Sequence, residues 1–496
     1  MAALVPSLRR VAAELGITTI TTAPRDLHLI LLTRCLRMAA YGGASLVLAL
    51  FFAALDVSDT RIGLFMTLTL LGDVALSLLL TLIADAAGRR RILLLGCVCM
   101  ALAGCVFALA SNYWLLLFAA VVGVISVSGN EIGPFRAVEE SVLAGLVDDK
   151  ARSDVFAWYV VLGTFGSALG LLAAGTGVEA LKSRGHTELD AFRAVFWGYA
   201  VIGIAKAIIT SRLSAKCEVQ NENTAAAAAS RSSGRATATA DEAEDESELA
   251  EFLADSASES DEDEQEGGSS SRRATETTLK EPEQKPKPKM GFAQLSSKTR
   301  WTLLRLCGLF AIDSLASGMV PYSLINFYMD RKFQQPKNLL GDLMAVVWIM
   351  SSIGNIFASA ISKRIGLIRT MVFTHLPSAI FLAMLPLPQV FWLAVVLLVA
   401  RGTLASMDQA PRTAFLSKVV RAEERTAVMG IVNVVKTLSQ SGGPLFTGLL
   451  AGGGRFWIAF TVAGALKASY DLGLLAFFLK TEREAAKVQL LTDEEA

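Results

Sequence analysis

Several ionisable side chains lie inside long apolar stretches of this sequence. A count of about 1.5 Å of helical rise per residue from the start of each stretch gives their depth in a membrane. Those near the centre are Asp73, Asp313, Arg401 and Lys436, and those nearer one surface are Arg34, Glu131 and Asp408. A charge at mid-bilayer costs at least ~2.5–3.5 kcal/mol on insertion scales, so each is a candidate for a substrate or proton pathway.

Acids and arginines at such depths can do two kinds of chemistry. A carboxylate can take up and release a proton, and a guanidinium binds carboxylates or phosphates through its forked donors. The same groups could instead form salt bridges that break and reform as parts of the protein move. Both interpretations stay open for Arg34, Glu131 and Asp313, and Arg37 ranks below them.

The apolar stretches set the fold class. The chain has 496 residues, 53% of them hydrophobic, and its mean hydropathy of +0.48 is too high for a single soluble domain. A membrane span needs roughly 20 apolar residues with every backbone hydrogen bond closed, which favours helices. Twelve spans are predicted: 28–54, 62–84, 92–111, 114–143, 155–176, 192–212, 301–328, 340–361, 367–386, 391–417, 425–451 and 456–479. The sequence therefore predicts an all-α membrane protein.

Basic residues in the short loops predict the orientation. They gather on one side, in the loops that contain Arg89–Arg91, Arg152, Arg369 and Arg421. Cytoplasmic loops are enriched in Lys and Arg, so both termini are expected in the cytosol. The tails are residues 1–26 and 481–496, and the first lacks the apolar core and cleavage site of a signal peptide.

The segment 213–297 differs from the rest of the chain. It is rich in Ala, Ser and Thr at first, acidic from Asp241 to Glu266, and then rich in Lys and Pro. Such a composition predicts a disordered cytosolic linker between two helical halves, residues 27–212 and 298–480. Its serines next to acidic residues could be phosphorylated, although a solvated spacer explains the composition equally simply.

The two halves resemble each other. In the fourth and tenth predicted helices, an acid precedes a proline by three residues, in NEIGPFR at 130–136 and in MDQAPR at 407–412. Arg152, Gly170 and Gly175 match Arg425, Gly443 and Gly448 at constant spacing. Internal duplication is typical of secondary transporters, whose sites lie between the repeats.

A short motif between the second and third predicted helices suggests a family. The segment TLIADAAGRRR at 81–91 resembles the major facilitator superfamily signature G-x-x-x-D-x-x-G-R-K/R-x, found in the same cytoplasmic loop. Asp85, Gly88, Arg89 and Arg90 match, whereas Thr81 replaces the opening glycine. The resemblance implies twelve transmembrane helices in two pseudo-symmetric six-helix bundles.

The resemblance also implies a conformational latch. In the family, this loop holds the outward-facing state, so Asp85 would face the start of the eleventh helix, and Glu139 or Glu140 would be the acidic counterpart of the arginines. Gly88 would allow the tight turn. The alternative is that the arginines only anchor the loop in the cytosol, which we prefer for Arg91.

Cavity residues follow from the same resemblance, because the first, fourth, seventh and tenth helices of the family line the central cavity. They are Arg34, Glu131, Asp313, Arg401 and Asp408, with Tyr41, Tyr322 and Trp348 as further candidates. The arginines would bind an anionic or carboxylated solute while Asp313 or Glu131 exchanges a proton. On peripheral helices, Lys467 and Asp471 are expected to pair at i,i+4, and Lys206 to reach an interface.

Several function classes have no support in the sequence. We find no nucleotide-binding loop, nucleophile elbow, zinc motif or paired cysteines, so no cofactor, metal or enzyme activity is expected. Basic and acidic residues number 46 each, which gives no sign of a nucleic-acid partner. We expect a monomeric, multi-pass secondary transporter of a small solute in the plasma or vacuolar membrane, surrounded by lipid. A non-transporting sensor with the same fold is the alternative, and the substrate cannot be deduced.

Overall fold

The computed structural model describes residues 17–125, 134–218, 297–409, 411–412, 415 and 425–494. Within these ranges the regular secondary structure is helical. Glu131, most of the predicted linker and the first 16 residues lie outside the described part, as does the side chain of Asp85. The predicted disorder of the linker therefore stays a prediction.

The first half contains eight α-helices. They are α1 (Ile17–Thr21), α2 (Arg25–Ala54), α3 (Asp59–Ala87), α4 (Arg89–Leu109), α5 (Tyr113–Val122), α6 (Pro134–Leu146), α7 (Asp149–Ser183) and α8 (Glu188–Ser211). A short 3-10 turn, Ala215–Cys217, follows α8. Residues 213–218, predicted to begin the disordered linker, are therefore ordered, and Ser214 donates its backbone N–H to Asp26 (3.1 Å).

The second half contains seven α-helices. They are α9 (Ser297–Met319), α10 (Tyr322–Phe333), α11 (Lys337–Ile365), α12 (Leu367–Met384), α13 (Phe391–Ser406), α14 (Arg425–Gly452) and α15 (Phe456–Glu494). Each predicted span overlaps at least one of the fifteen helices. By length and composition alone, seven described helices could cross a membrane, or eight if α9 and α10 form one bent span. The remaining predicted spans are helical but shorter, broken or less apolar.

Two predicted spans are broken rather than continuous. Helices α9 and α10 meet at a bend of 42°, where Pro321 precedes the first residue of α10. Proline lacks the N–H that a continuing helix needs, which explains the break. In the fourth predicted span, α5 ends before Gly123, and Val124 takes a left-handed φ of 49°.

The two halves contact each other through glycines. A Cβ on Gly63 of α3 would lie 2.4 Å from the Pro444 oxygen of α14, and a Cβ on Gly341 of α11 would lie 2.6 Å from the Leu171 oxygen of α7. Small residues let helix backbones approach closely in lipid. These contacts lie at the end of the helices away from the loop that contains Arg89–Arg91, which we call the opposite end.

Aromatic side chains fill the core of each half at the opposite end. In the first half, the ring of Phe51 lies 5.1 Å from Phe196, and Phe52 lies 4.3 Å from Phe65. In the second half, Tyr328 lies 4.4 Å from Phe460. The apolar packing leaves the deeply placed charged residues to meet one another nearer the middle of the helices.

Candidate functional site

Asp313, in the middle of α9, is the centre of a buried charged cluster. Its Oδ1 accepts a hydrogen bond from Lys467 Nζ of α15 (2.7 Å), and its Oδ2 accepts one from Arg412 Nη1 (3.0 Å). The Nε2 of His375, on α12, lies 3.8 Å from Oδ1. Asp313 is only 4% exposed, so its charge is balanced by protein groups rather than by water.

The cluster extends to two further carboxylates. Arg412 donates its second terminal nitrogen to Asp408, and His375 Nδ1 lies 3.0 Å from both carboxylate oxygens of Asp471 on α15. Lys467 also donates to Ser317 Oγ (2.7 Å). We call the set of Asp313, His375, Asp408, Arg412, Lys467 and Asp471 the Asp313 cluster.

Aromatic rings surround the Arg412 guanidinium. Its central carbon lies 5.3 Å from the Phe310 ring centre and 5.2 Å from that of Tyr470. Cation–π contacts stabilise a guanidinium that has left water. Removing one member of such a buried set leaves an uncompensated charge, so the cluster is held together strongly once formed.

A second buried charged cluster lies in the first half. Arg37 of α2 forms two hydrogen bonds with Glu139 of α6, at 2.7 and 2.6 Å, and Tyr159 of α7 donates its hydroxyl to the same carboxylate (2.8 Å). The Arg34 guanidinium lies 4.5 Å from the Tyr159 ring centre. Lys206 of α8, which is 4% exposed, lines the same small cavity as Arg37 and Glu139. These five residues form the Arg37 cluster.

The two clusters occupy equivalent positions in the internal repeat, with opposite signs. A Cβ on Gly42 would meet the Ser167 oxygen of α7 at 2.2 Å, and one on Gly318 would meet the Gln440 oxygen of α14 at 1.9 Å. Arg37 and Asp313 each lie five residues before these glycines. Arg37 binds a glutamate, whereas Asp313 binds an arginine.

The repeat also relates the two buried lysines. Gly88 and Gly366 precede α4 and α12 with φ values of 95° and 92°, and Cys97 and His375 each follow nine residues later. Cys97 Sγ contacts Thr210 Oγ1 of α8 (3.6 Å), as His375 contacts Asp471 of α15. Lys206 and Lys467 lie four residues before these partners.

The other predicted pathway residues lie apart from Asp313. Asp73 of α3 is 4% exposed, and its Oδ1 has no hydrogen-bond partner among the described residues. Arg401 of α13 faces the Tyr322 hydroxyl, and the Tyr322 ring lies 5.3 Å from Trp348. Lys436 of α14 lies 5.9 Å from the Phe310 ring centre, beside the Asp313 cluster.

Three expectations about partners need correction. Lys467 and Asp471 do not form an i,i+4 pair, because Lys467 binds Asp313 and Asp471 binds His375. Lys206 is buried in a cavity rather than extended to an interface. Arg34 and Arg401 belong to other neighbourhoods than Asp313.

Sequence reasoning missed Arg412 and His375. Arg412 ends the segment that matches the fourth helix, so the repeat itself carried a signal for it. His375 lies in an apolar stretch and was considered only as a metal ligand. Within the described residues no cluster of His, Cys, Asp or Glu could hold a metal ion.

The signature loop has an unexpected acidic partner. The Glu218 carboxylate accepts hydrogen bonds from the backbone N–H groups of Arg89 (2.7 Å) and Arg90 (3.3 Å) at the start of α4. A carboxylate at a helix N-terminus is favourable because it meets the positive end of the helix dipole. The expected partners lie elsewhere: Glu139 binds Arg37, and Glu140 binds Arg136 (2.6 Å).

Cysteines are free throughout the described chain. Cys217, in the 3-10 turn outside the membrane spans, is 2% exposed, and burial raises the pKa of its thiol to about 11. Such a thiol is almost entirely protonated at neutral pH and therefore unreactive. This environment fits a packing role.

Polar bridges join the two halves at the opposite end. Arg331 of α10 binds both carboxylate oxygens of Asp59 of α3, at 2.7 and 3.2 Å. Lys337 Nζ lies 3.2 Å from Glu188 of α8, and its backbone N–H donates to Glu179 of α7 (3.2 Å). These bridges close the surface between the halves at this end.

Comparison with known proteins identifies the relatives of the chain. A sequence profile of the Major Facilitator Superfamily matches residues 30–236 and 306–495. A Saccharomyces cerevisiae protein named "Uncharacterized membrane protein YJR124C" is 32% identical over 476 residues, which cover 94% of this chain and 96% of that protein.

Solved transporter structures share the fold. The nucleoside transporter NupG superposes with a TM-score of 0.62 at 11% identity, over 92% of this chain and 99% of that one. A structure from work on proton dependent oligopeptide transporters gives a TM-score of 0.63 at 13% identity, over 92% and 99%. A bacterial homologue of the iron transporter ferroportin, in an inward-facing state, gives 0.61 at 11% identity, over 91% and 98%.

Proposed function

Because the chain belongs to the major facilitator superfamily, we propose that it is a secondary active transporter that couples a small anionic solute to protons by alternating access. The observation that carries the proposal is the pair of buried charged clusters at equivalent positions of the two halves, one centred on Arg37 and one on Asp313. Buried ions of this kind mark substrate and ion pathways in membrane proteins.

Cations without acidic partners favour an anionic solute. In the described part of the chain, neither Arg401 nor Lys436 has a carboxylate within salt-bridge distance, and Arg401 is 9% exposed. A buried cation in lipid needs a compensating group, and a carboxylated or phosphorylated solute would supply it. Arg401 binds such a group bidentately in this proposal, with the Tyr322 hydroxyl beside it.

The bridges at the opposite end support alternating access. A state with Arg331 bound to Asp59 and Lys337 close to Glu188 is closed at that end, so the solute would enter or leave from the cytosol. In this proposal, the signature loop around Asp85, Gly88, Arg89 and Arg90 forms the latch of the other state. Glu218 fixes the start of α4 within that latch.

Reconstituted protein tests transport directly. Proteoliposomes under an imposed pH gradient would be offered a panel of labelled mono- and dicarboxylates, organic phosphates and neutral controls. We expect uphill accumulation of one anionic class, weakened at least tenfold by Arg401→Gln and unchanged by Arg455→Gln, an exposed matched arginine. Ligand-induced thermal stabilisation without flux would indicate a sensor and contradict the proposal.

A disulfide tests alternating access. A Cβ on Gly452 would lie 4.0 Å from the Thr60 Cβ across the halves, within the range that a disulfide spans. With the six native cysteines replaced, oxidation of Thr60→Cys/Gly452→Cys should stop flux, and reduction should restore it. Full transport by the oxidised protein would show that the halves need not separate at this end.

Topology and location belong to the same proposal. Both termini and the segment 213–297 face the cytosol of a monomeric protein in the plasma or vacuolar membrane, as the basic loops predict. Protease protection in sealed vesicles and a fluorescent fusion test these two statements. Cleavage of the 213–297 segment only from the non-cytosolic side would reverse the orientation.

A further inference from the structure

His375 is the residue of the Asp313 cluster that no part of the proposed function uses. Its ring is 3% exposed, and each nitrogen faces a carboxylate. Nδ1 lies 3.0 Å from both oxygens of Asp471 on α15, and Nε2 lies 3.8 Å from Asp313 Oδ1 on α9. The ring edge contacts Tyr470 at 5.8 Å and 88°, which fixes the plane of the imidazole.

We propose that His375 is the proton-binding residue of this protein, and that its protonation transfers the Asp313 carboxylate from Lys467 to the imidazole. The inference deepens the proposed function and rests on it for the purpose of the proton. It assigns coupling to α12 and α15, two helices outside the four that were expected to line the central cavity.

The charges around His375 favour this residue over Asp313 as the proton acceptor. Protonating Asp313 would remove the counter-charge of Lys467 and Arg412, which both contact it, and would leave two buried cations under-compensated. Protonating His375 instead adds a cation among the carboxylates of Asp313, Asp408 and Asp471. An imidazole also changes its charge near physiological pH, where a gradient can act.

Protonation changes one specific contact. A carboxylate can only accept, so the hydrogen of the neutral ring lies on Nδ1, towards Asp471, and the Nε2 lone pair faces Asp313. A proton that binds this lone pair turns Nε2 into a donor. It then competes for Asp313 Oδ1, the same atom that Lys467 holds at 2.7 Å. Loosening Lys467 frees α15 from α9 and leaves Lys467 for another acceptor.

Groups from every neighbouring element enter this balance. They are Asp313 from α9, Lys467, Tyr470 and Asp471 from α15, Arg401 from α13, Asp408 and Arg412 from the segment that follows α13, and Lys436 from α14. The first half differs at the equivalent place, where Cys97 faces Thr210. The proton site therefore exists in one half only.

Histidine NMR tests the site without any solute. The protein has three histidines, so 15N-histidine labelling in nanodiscs gives few signals, and His28→Gln and His186→Gln assign them. We expect His375 to be an Nδ1–H tautomer at high pH and to titrate within about pH 5–8. Asp471→Asn should move its midpoint down by about one pH unit or more, because a neighbouring negative charge is lost. The midpoints of His28 and His186 should not move.

A His375 ring that keeps one protonation state across that pH range would overturn the proposal, as would a midpoint that Asp471→Asn leaves unchanged. Both outcomes are read from the native histidine, so they do not depend on whether a His375 variant folds.

Cross-linking tests the link to conformation. The rate of disulfide formation in Thr60→Cys/Gly452→Cys should change with pH beyond the effect of thiol ionisation. Adding His375→Gln should remove that extra dependence, whereas adding His186→Gln, an exposed matched histidine, should keep it. Identical pH profiles for the two variants would overturn the proposal.

The two proposals fail differently. Solute flux driven by pH in His375→Gln liposomes would refute the histidine and leave the transporter intact. A titrating His375 in a protein that moves no solute would refute the transporter and leave the proton site.

Discussion

Arg37 and Asp313 occupy equivalent positions in the two halves and carry opposite charges. Each lies five residues before a glycine that touches the backbone of a neighbouring helix. Each is paired with a charge of the other sign, Glu139 for Arg37 and Arg412 for Asp313. The repeat thus preserves a buried ion pair while its polarity is reversed, which gives the two halves different affinities for anions and protons.

Removing one partner of the first pair should destabilise the protein strongly. Glu139→Gln leaves the buried Arg37 without its counter-charge, and breaking a buried pair in this way costs about 3–5 kcal/mol. Thermal unfolding in detergent should show a clear drop in the midpoint. Glu140→Gln is the control, because its pair with Arg136 is an exposed i,i+4 contact worth about 0.3–0.5 kcal/mol. Equal midpoints for the two variants would contradict the burial argument.

The two repeat-related lysines should respond differently to the same substitution. Lys467→Met removes a cation that contacts Asp313 and Ser317, so the protein should lose stability. Lys206→Met removes a buried cation whose described hydrogen-bond partner is the Met100 sulfur at 4.0 Å. That change should be neutral or stabilising, since a desolvated charge is replaced by a side chain of similar length. A larger loss for Lys206→Met in thermal unfolding would show the assignment to be reversed.

Helix packing against α2 should depend on one glycine of α7. A Cβ on Gly170 would lie 1.8 Å from the Ala39 oxygen, so Gly170→Ala must push the helices apart. Gly177 of the same helix has nothing within 4 Å, and Gly177→Ala should be neutral or stabilise by about 0.5–1 kcal/mol through helix propensity. Size-exclusion profiles and thermal midpoints of the two variants report the difference. A Gly170→Ala protein as stable as Gly177→Ala would indicate that the close approach is wrong.

The bridge at the opposite end should control conformation more than stability. Arg331 is about half exposed and Asp59 is part-buried, so Arg331→Gln should cost less than about 1 kcal/mol. It should nevertheless slow cross-linking of Thr60→Cys/Gly452→Cys, because the halves separate more often at this end. Lys332→Gln is the matched control, since Lys332 donates to Pro386 of its own half. Unchanged cross-linking in Arg331→Gln would mean that the bridge does not hold this state.

The sequence alone determined the class of the protein. Apolar length placed the helices, the signature at 81–91 and the repeat indicated the family, and the cost of a charge in lipid pointed to Asp313 and Asp408. These inferences succeed because each depends on composition or spacing along one segment. The breaks at Pro321 and after α5 were missed, since apolar length continues across them.

Only the tertiary structure decided which charges meet. Lys467 reaches Asp313 across 154 positions of sequence, and His375 bridges α9 and α15. In a soluble helix the apolar stripe tells which face is buried. In a membrane helix the lipid-facing and core-facing sides are both apolar, so the sequence pattern does not give the rotation of the helix. Rotation and packing fix the partners of every buried charge, and they are properties of the assembled bundle.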